Sequence, residues 1–314
     1  MDASRTSQAE AFRNTDATSY DPVADTFDHF TNLTTKTISS RLIHWAGLRP
    51  QHHVLDVGTG TGVVAIEAAR HIAPPGSVRG IDLSGGQIAV ARRNATDAGL
   101  SSRVCFDQGD AEQLPYENQS FDVVLSLYTL LHLPNPGQAL SQMYRVLKPG
   151  GTLAVGIGSP CPWNSLQGVW NRLTRVKDWV RLKQGKLLLA HRHLEALTDK
   201  HLPRGPAAPE ITDLARHHSL RGQKAGLLVR NAGFDNIRTN WQSGKLVLES
   251  AEEFWRLQST FSSLCRKRLS TATAEEVERL RADFFEVCNS VKARGGSMEY
   301  HYAALVICGT KPVH

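Results

Sequence analysis

The sequence predicts an α/β fold: a doubly wound, mostly parallel, seven-stranded sheet with helices on both faces and a helical cap inserted late in the chain. Three observations carry this expectation. Strand-like apolar runs alternate with helix-like ones from His53 to about Thr152, a rhythm that implies right-handed crossovers and a parallel sheet. The first strand runs directly into glycines at every second position, Gly58, Gly60 and Gly62. Two later strand-like runs, Phe234 to Thr239 and Tyr300 to Gly309, bring the chain back to the sheet after a long interruption. With 314 residues and 41% hydrophobic content the chain can bury a full core, which excludes a disordered chain or a disulfide-stapled miniprotein.

The elements follow in order. Residues 1–19 are polar and lack apolar periodicity, so a flexible leader is expected. From Tyr20 to Leu48, Phe27, Phe30, Leu33, Ile38, Leu42, Ile43 and Trp45 recur at three- and four-residue steps, the pattern of amphipathic helices. Residues 20–157 and 210–314 are read as the core. Within it the expected strands are Val54 to Val57, Val78 to Asp82, Val104 to Gln108, Phe121 to Leu127 and Thr152 to Ile157. Helices are expected over Val63 to Ile72, Gly86 to Ala98 and Ala139 to Leu147, with Ser84 as the N-cap of the second. Lys148-Pro149-Gly150-Gly151 reads as a turn, since proline and glycine do not continue a helix.

Residues 158–209 break this rhythm and read as the cap, with Trp163, Leu166, Trp170 and Leu173 forming one apolar stripe. Residues 171–204 hold nine Lys and Arg against three Asp and Glu, a surplus equal to the whole chain's net charge of +6. A helix near Thr212 to Ala232 leads back to the sheet. Ser250 to Val291 is helical in pattern, and Thr273-Ala274-Glu275-Glu276 resembles a capping box.

Composition narrows the class. Five cysteines, odd in number and scattered, suggest neither a disulfide framework nor a zinc ribbon and fit a reducing cytoplasm. No apolar stretch reaches the roughly 18 to 20 residues that a membrane span needs. His191 and His193, two residues apart on an expected helix, point to different faces, so no metal site is expected with His201. Neither Gly-x-Ser-x-Gly, a Walker loop nor His-Glu-x-x-His occurs, which argues against the common hydrolase, phosphoryl-transfer and zincin chemistries.

The strongest chemical signal is Asp56-Val57-Gly58-Thr59-Gly60-Thr61-Gly62 between a strand and a helix. Glycines there let a ligand approach the backbone closely. A dinucleotide fingerprint wants Gly or Ala where this chain has Val63, which weakens an NAD or FAD reading. The acid Asp56 before the loop favours a cationic ligand over a pyrophosphate. Asp82 ends the second strand, where a carboxylate can accept both hydroxyls of a ribose. Asp110 and Ala111 follow the third strand, where a purine's exocyclic amine can be met. Ser126 lies at the end of the fourth strand, and Tyr128 and His132 follow it, on the side where open α/β sheets bind ligands.

Taken together, Asp56 to Gly62, Asp82, Gly109-Asp110-Ala111 and Leu147-Lys148-Pro149-Gly150-Gly151 resemble class I S-adenosylmethionine-dependent methyltransferases with a Rossmann-like sheet. The resemblance is nearest to the branch that includes the ubiquinone and menaquinone C-methyltransferases, and Tyr20 to Asp28 is similar to the opening of theirs. It covers Tyr20 to Gly158. It implies S-adenosylmethionine as cofactor, held by Tyr20, Asp56, Gly58, Thr59, Gly60, Gly62, Asp82, Leu83, Gln87, Asp110, Ala111, Ser126 and Tyr128. Gly58 and Gly60 would face the methionine part, Asp82 the ribose, and Asp110 with Ala111 the adenine, with Tyr20 closing over them.

The acceptor is then expected to be a small, largely apolar molecule methylated on oxygen or carbon, with His132 as the base that removes its proton. Alternatives remain: a protein of this fold that retains the cofactor for binding or cyclisation without methylating, and an NAD-dependent oxidoreductase. No nucleic-acid partner is expected, because Ser126-Leu127-Tyr128-Thr129 lacks the Asn/Asp-Pro-Pro-aromatic signature. The basic insertion leaves peripheral membrane contact open, and the Ser250 to Val291 helices leave a homodimer open.

Overall fold

A computed structural model of the chain describes residues 14–158, 176–202 and 223–313. The chain divides into two compact units, one of Met1–Pro160, Ile211–Gln242 and Ala303–His314, the other of Cys161–Glu210 and Ser243–Tyr302. The expected stripe from Trp163 to Leu173 lies outside the described residues, as does the Thr212 to Gly222 part of the helix expected there.

The first unit opens with a correction. Residues 14–18, expected as part of a flexible leader, are helical, and Asp16 is only 4% exposed. A single helix, α1 (Ala24–Ala46), then buries Phe30, Thr34, Ile38 and Leu42 at four-residue steps, and Gly47 ends it in the left-handed region at φ 64°. Leu33, included in the expected stripe, faces outward instead.

The βα alternation follows as β1 (His53–Val57), α2 (Val63–Ala69), β2 (Ser77–Asp82), α3 (Gly85–Asp97), β3 (Val104–Gln108), β4 (Phe121–Leu127), α4 (Pro136–Val146) and β5 (Leu147–Gly158). Ser84 caps α3 by accepting from Gln87 N. Asn135 caps α4, with Pro136 at its first position, where a missing N–H costs nothing. Lys148 to Gly151 departs from the expected turn. These residues belong to β5, where Gly150 and Gly151 exchange hydrogen bonds with Lys311 across a register shift opposite Phe121 and Val123.

Strands β1 to β5 pair in parallel in the order β3-β2-β1-β4-β5. The Ala304–Thr310 part of β8 (Ser297–Thr310) then pairs antiparallel with β5. β7 (Asp235–Leu248), preceded by α6 (Gln223–Asn231), pairs with β8. The centre of the sheet is largely apolar: Leu55, Val57, Val124, Leu125, Leu153, Val155 and Ile157 are completely buried. Each such side chain contributes about 1.5–3 kcal/mol. Because both faces are covered, the strands read as continuous apolar runs.

In the second unit, β6 (Leu187–Leu189) pairs in parallel with Ser297–Glu299 of β8, and α5 (Ala190–His201) follows it. The helical pattern after Ser250 resolves into α7 (Ala251–Phe261), α8 (Ser263–Leu269) and α9 (Ala274–Ala293). Both arms of the capping box at Thr273 and Glu276 are formed. The core of this unit is aromatic: Phe284 meets Trp255 edge-on with ring centroids 5.2 Å apart and lies 4.9 Å from His193. No helix among the described residues is long and apolar enough to cross a membrane.

Two glycines separate backbone strain from crowding. Gly47 and Gly58 both have left-handed φ, 64° and 70°, but a side chain at Gly47 meets open space, whereas one at Gly58 falls 2.1 Å from Thr129 Oγ1. Gly47→Ala should therefore cost about 1–2 kcal/mol from the backbone alone. Gly58→Ala should cost about 1–3 kcal/mol more from overpacking. Urea denaturation measures both, and equal losses would show that Thr129 moves aside freely.

Candidate active site

Strand order places β1 between β2 and β4, and the chain's winding reverses at that point. Ligands of doubly wound sheets lie in the crevice at the carboxyl ends of such strands. Three turns meet there. After β1, Gly58 N and Thr59 N both donate to Ile81 O, and Gly62 N donates back to Thr59 O, coiling the loop tightly before α2. Gly58, Gly60 and Gly62 all carry positive φ, so the loop's conformation explains the residue type at each.

Asp82 holds that loop in place. One carboxylate oxygen accepts from Gly60 N at 2.8 Å and the other from Ser84 N at 3.0 Å. Each oxygen keeps a further lone pair, so the carboxylate remains able to accept hydroxyls. The Asp82 residue is half-buried by its surface, yet crowding around the carboxylate makes desolvation the leading cause of its raised pKa; the two backbone donors and the charge of His132 oppose it.

Asp56 is more extreme. It is 1% exposed and accepts from Thr59 Oγ1 at 2.7 Å. Burial pushes its pKa up to about 7, the Thr59 hydroxyl opposes this, and the neighbouring Asp82 charge adds to it. Two desolvated carboxylates thus converge beside an open loop backbone, an arrangement relieved by a cation.

The remaining expected residues gather around this centre. Gln87, in the first turn of α3, is 2% exposed, and neither its amide oxygen nor its nitrogen has a partner among the described residues. Its oxygen lies 3.7 Å from where a Gly60 side chain would begin. Ser126, 1% exposed near the end of β4, likewise leaves its hydroxyl unpartnered there. Buried polar groups normally find partners, so these atoms are exceptions within the crevice. Leu83, next to Asp82 in the chain, accepts from Gln108 Nε2 at its carbonyl oxygen. Asp110 accepts from Glu112 N at 2.8 Å, closing a short turn that buries Ala111. Tyr128 leaves β4 with φ 62°, a left-handed conformation unusual for a bulky residue. The adjacent Thr129 donates to Val57 O at 3.1 Å, locking the β4 turn onto the end of β1.

Sequence reasoning missed a fastening along α3. Asp21 accepts from Ser84 Oγ at 2.6 Å and from Gly86 N at 2.9 Å, Asp25 pairs with Arg93, and Asp28 accepts from Asn94 Nδ2 at 2.8 Å. Three acids at four- and three-residue steps were the available signal. The segment so held brings Tyr20 edge-on against Phe27, with centroids 5.2 Å apart, and within 6.2 Å of the His132 ring. His132 itself ends a single 3-10 turn, Leu130–His132.

His193, His201 and the open surface lie elsewhere. His201 bonds Asp283 at 2.7 Å in the second unit. A cleft of about 740 Å3, lined by His53, Ser77, Arg79, Asp107, Tyr116 and Phe121 among others, opens beside the amino ends of β1, β2 and β4. Its central acid is already satisfied by Arg79 and Tyr116.

The raised Asp56 pKa has a stability consequence. In the unfolded chain this acid loses its proton near 3.8, and in the folded protein near 7. Between these values the native state binds the extra proton, so its contribution to stability declines as pH rises through that window. Asp56→Asn cannot ionise. Relative to the wild type, its unfolding free energy without ligand should improve from about pH 4 to about pH 7, by up to about 4 kcal/mol. A constant difference across that range in urea titrations would contradict the burial argument.

Comparison with known proteins agrees with this geometry. Residues 48–188 match a methyltransferase domain family. The chain is 33% identical over 225 residues to the demethylmenaquinone methyltransferase of Lactiplantibacillus plantarum, covering 69% of this chain and 86% of that protein. It is 39% identical over 140 residues to the methyltransferase GfsG of Streptomyces halstedii, 45% of this chain, and so spans about half (47%) of that relative's length. The solved structure of the BH2331 protein of Bacillus halodurans C-125 shares the fold, with a TM-score of 0.52 and 24% identity over 87% of this chain and 98% of that one. With the glycine loop, its two carboxylates and this similarity in hand, the chain belongs to the class I S-adenosylmethionine-dependent methyltransferases and resembles their ubiquinone and menaquinone C-methyltransferase branch.

Proposed function

We propose that the chain transfers the methyl group of S-adenosylmethionine to an oxygen or carbon of a small, largely apolar acceptor. The observation that carries this reading is the convergence of Asp56, Asp82 and the Gly60 backbone at the point where the sheet's winding reverses. In this reading Gly58, Thr59, Gly60 and Gly62 face the methionine part, and Asp56 favours its positive charge. Asp82 receives the ribose hydroxyls on its remaining lone pairs, with Leu83 beside it. Asp110 and Ala111 meet the adenine, and Gln87 and Ser126 turn their unpartnered polar atoms to the ligand.

Bound there, S-adenosylmethionine supplies a methyl group already activated on a sulfonium. The protein's own task is alignment and the exclusion of water. Tyr20, with Phe27 behind it, closes the crevice from the amino-terminal side, and Tyr128 lines it from the end of β4. His132 takes the proton of an acceptor hydroxyl or acidic carbon.

Calorimetry with S-adenosylmethionine and S-adenosylhomocysteine tests the cofactor site. Asp82→Ala should weaken both by about 1 to 3 kcal/mol, roughly 5- to 150-fold in Kd. Thermal melts should accompany it, because the same carboxylate holds Gly60 and Ser84. Unchanged affinity in a folded variant removes the ribose role, and failure of the wild type to bind either compound removes the proposal. Methyl transfer to a panel of phenols, enols and quinols then separates oxygen from carbon acceptors.

A further inference from the structure

We propose that Asp16 is a positioning residue for His132, so that the short amino-terminal helix of residues 14–18 forms part of the catalytic apparatus. The inference rests on the reading of His132 as base given above. Asp16 is 4% exposed, and its Oδ2 lies 3.4 Å from His132 Nδ1. That spacing is an ion-pair contact longer than an aligned hydrogen bond, and catalytic contacts of this kind tighten when the site is loaded.

The side chain is covered unevenly. Nδ1 is buried, yet the side chain as a whole keeps 39% of its surface, so the exposure comes from the other atoms of the side chain. Asp16 and Tyr20 stand four residues apart, and both reach the imidazole, the first at Nδ1 and the second edge-on to the ring. The segment is internally braced: Ser19 Oγ donates to Asp16 O at 2.6 Å and Tyr20 N to Ala17 O at 3.1 Å. It is also anchored downstream through Asp21 on Ser84 and Gly86. His132 also acts electrostatically on Asp82, which places it by the crevice.

A carboxylate at Nδ1 accepts a hydrogen bond from Nδ1–H and leaves the lone pair on Nε2. The chemical step then balances. The acceptor's O–H or C–H bond breaks with its proton passing to Nε2. The freed electron pair forms the bond to the methyl carbon, and the carbon–sulfur pair returns to sulfur as a neutral thioether. Asp16 offsets the positive charge that the imidazole gains and does not itself take the proton.

The test is the imidazole's tautomer, read by long-range proton–nitrogen correlation on the full chain labelled with nitrogen-15 histidine, at pH 8.5 with S-adenosylhomocysteine. Wild type should show the Nδ1–H form. Asp16→Leu, which keeps a buried side chain of similar size, should shift His132 to the Nε2–H form and lower kcat about 10- to 100-fold on any phenol that the wild type methylates. Affinity for S-adenosylhomocysteine should not change. Asp16→Glu should restore the Nδ1–H signal. If Asp16→Leu does not fold, Asp16→Asn with its amide nitrogen turned to Nδ1 should give the same reversal. An unchanged tautomer in the folded variants overturns the role of Asp16. Full turnover by His132→Ala overturns the base reading and this inference with it, so the two failures are distinguishable.

Discussion

The hydrogen bond from Gly60 N to the Asp82 carboxylate ties the loop after β1 to the end of β2, and the crevice exists because of it. The bond needs a loop that doubles back within a few residues, which only positive φ at Gly58, Gly60 and Gly62 allows. It also needs an acid at the last position of β2 with little else to solvate it. Asp56 then sits so near that each carboxylate makes ionisation of the other harder. The two acids therefore ionise reluctantly, helped only by a few hydroxyl and backbone donors, and a cation nearby would ease their ionisation.

The sheet makes their desolvation affordable. β1, β4 and β5 bury their apolar centres completely, and Thr129, bonded to Val57 O, pins the β4 turn over Gly58. The left-handed Tyr128 and the desolvated acids each cost free energy, on the order of 1–3 kcal/mol for the backbone alone. The adjoining apolar strands supply far more than that.

Much of this arrangement was legible in the sequence. β3 and β4 fall on the expected residues, and Ser84 and the Thr273 capping box do what their local spacing implies, because each depends on neighbours within a few positions. What stayed hidden depends on partners distant in sequence. Lys148 to Gly151 reads as a turn until Lys311 arrives to pair with it. The leader reads as polar and flexible until Asp16 meets His132, and the partners of Asp21, Asp25 and Asp28 are not apparent until Ser84, Arg93 and Asn94 stand opposite. Sequence reading also gave the insertion as wholly helical, whereas β6 forms there because Ser297–Glu299 offers it an edge.

The clasp along α3 differs in kind from the sheet beneath it. Its Asp25 to Arg93 rung is solvent-exposed, with 76% and 53% of the two side chains accessible. Exposed ionic contacts fade as the Debye length shrinks, while buried apolar contacts do not. Salt therefore loosens that outer rung of the clasp long before it loosens the apolar sheet beneath it.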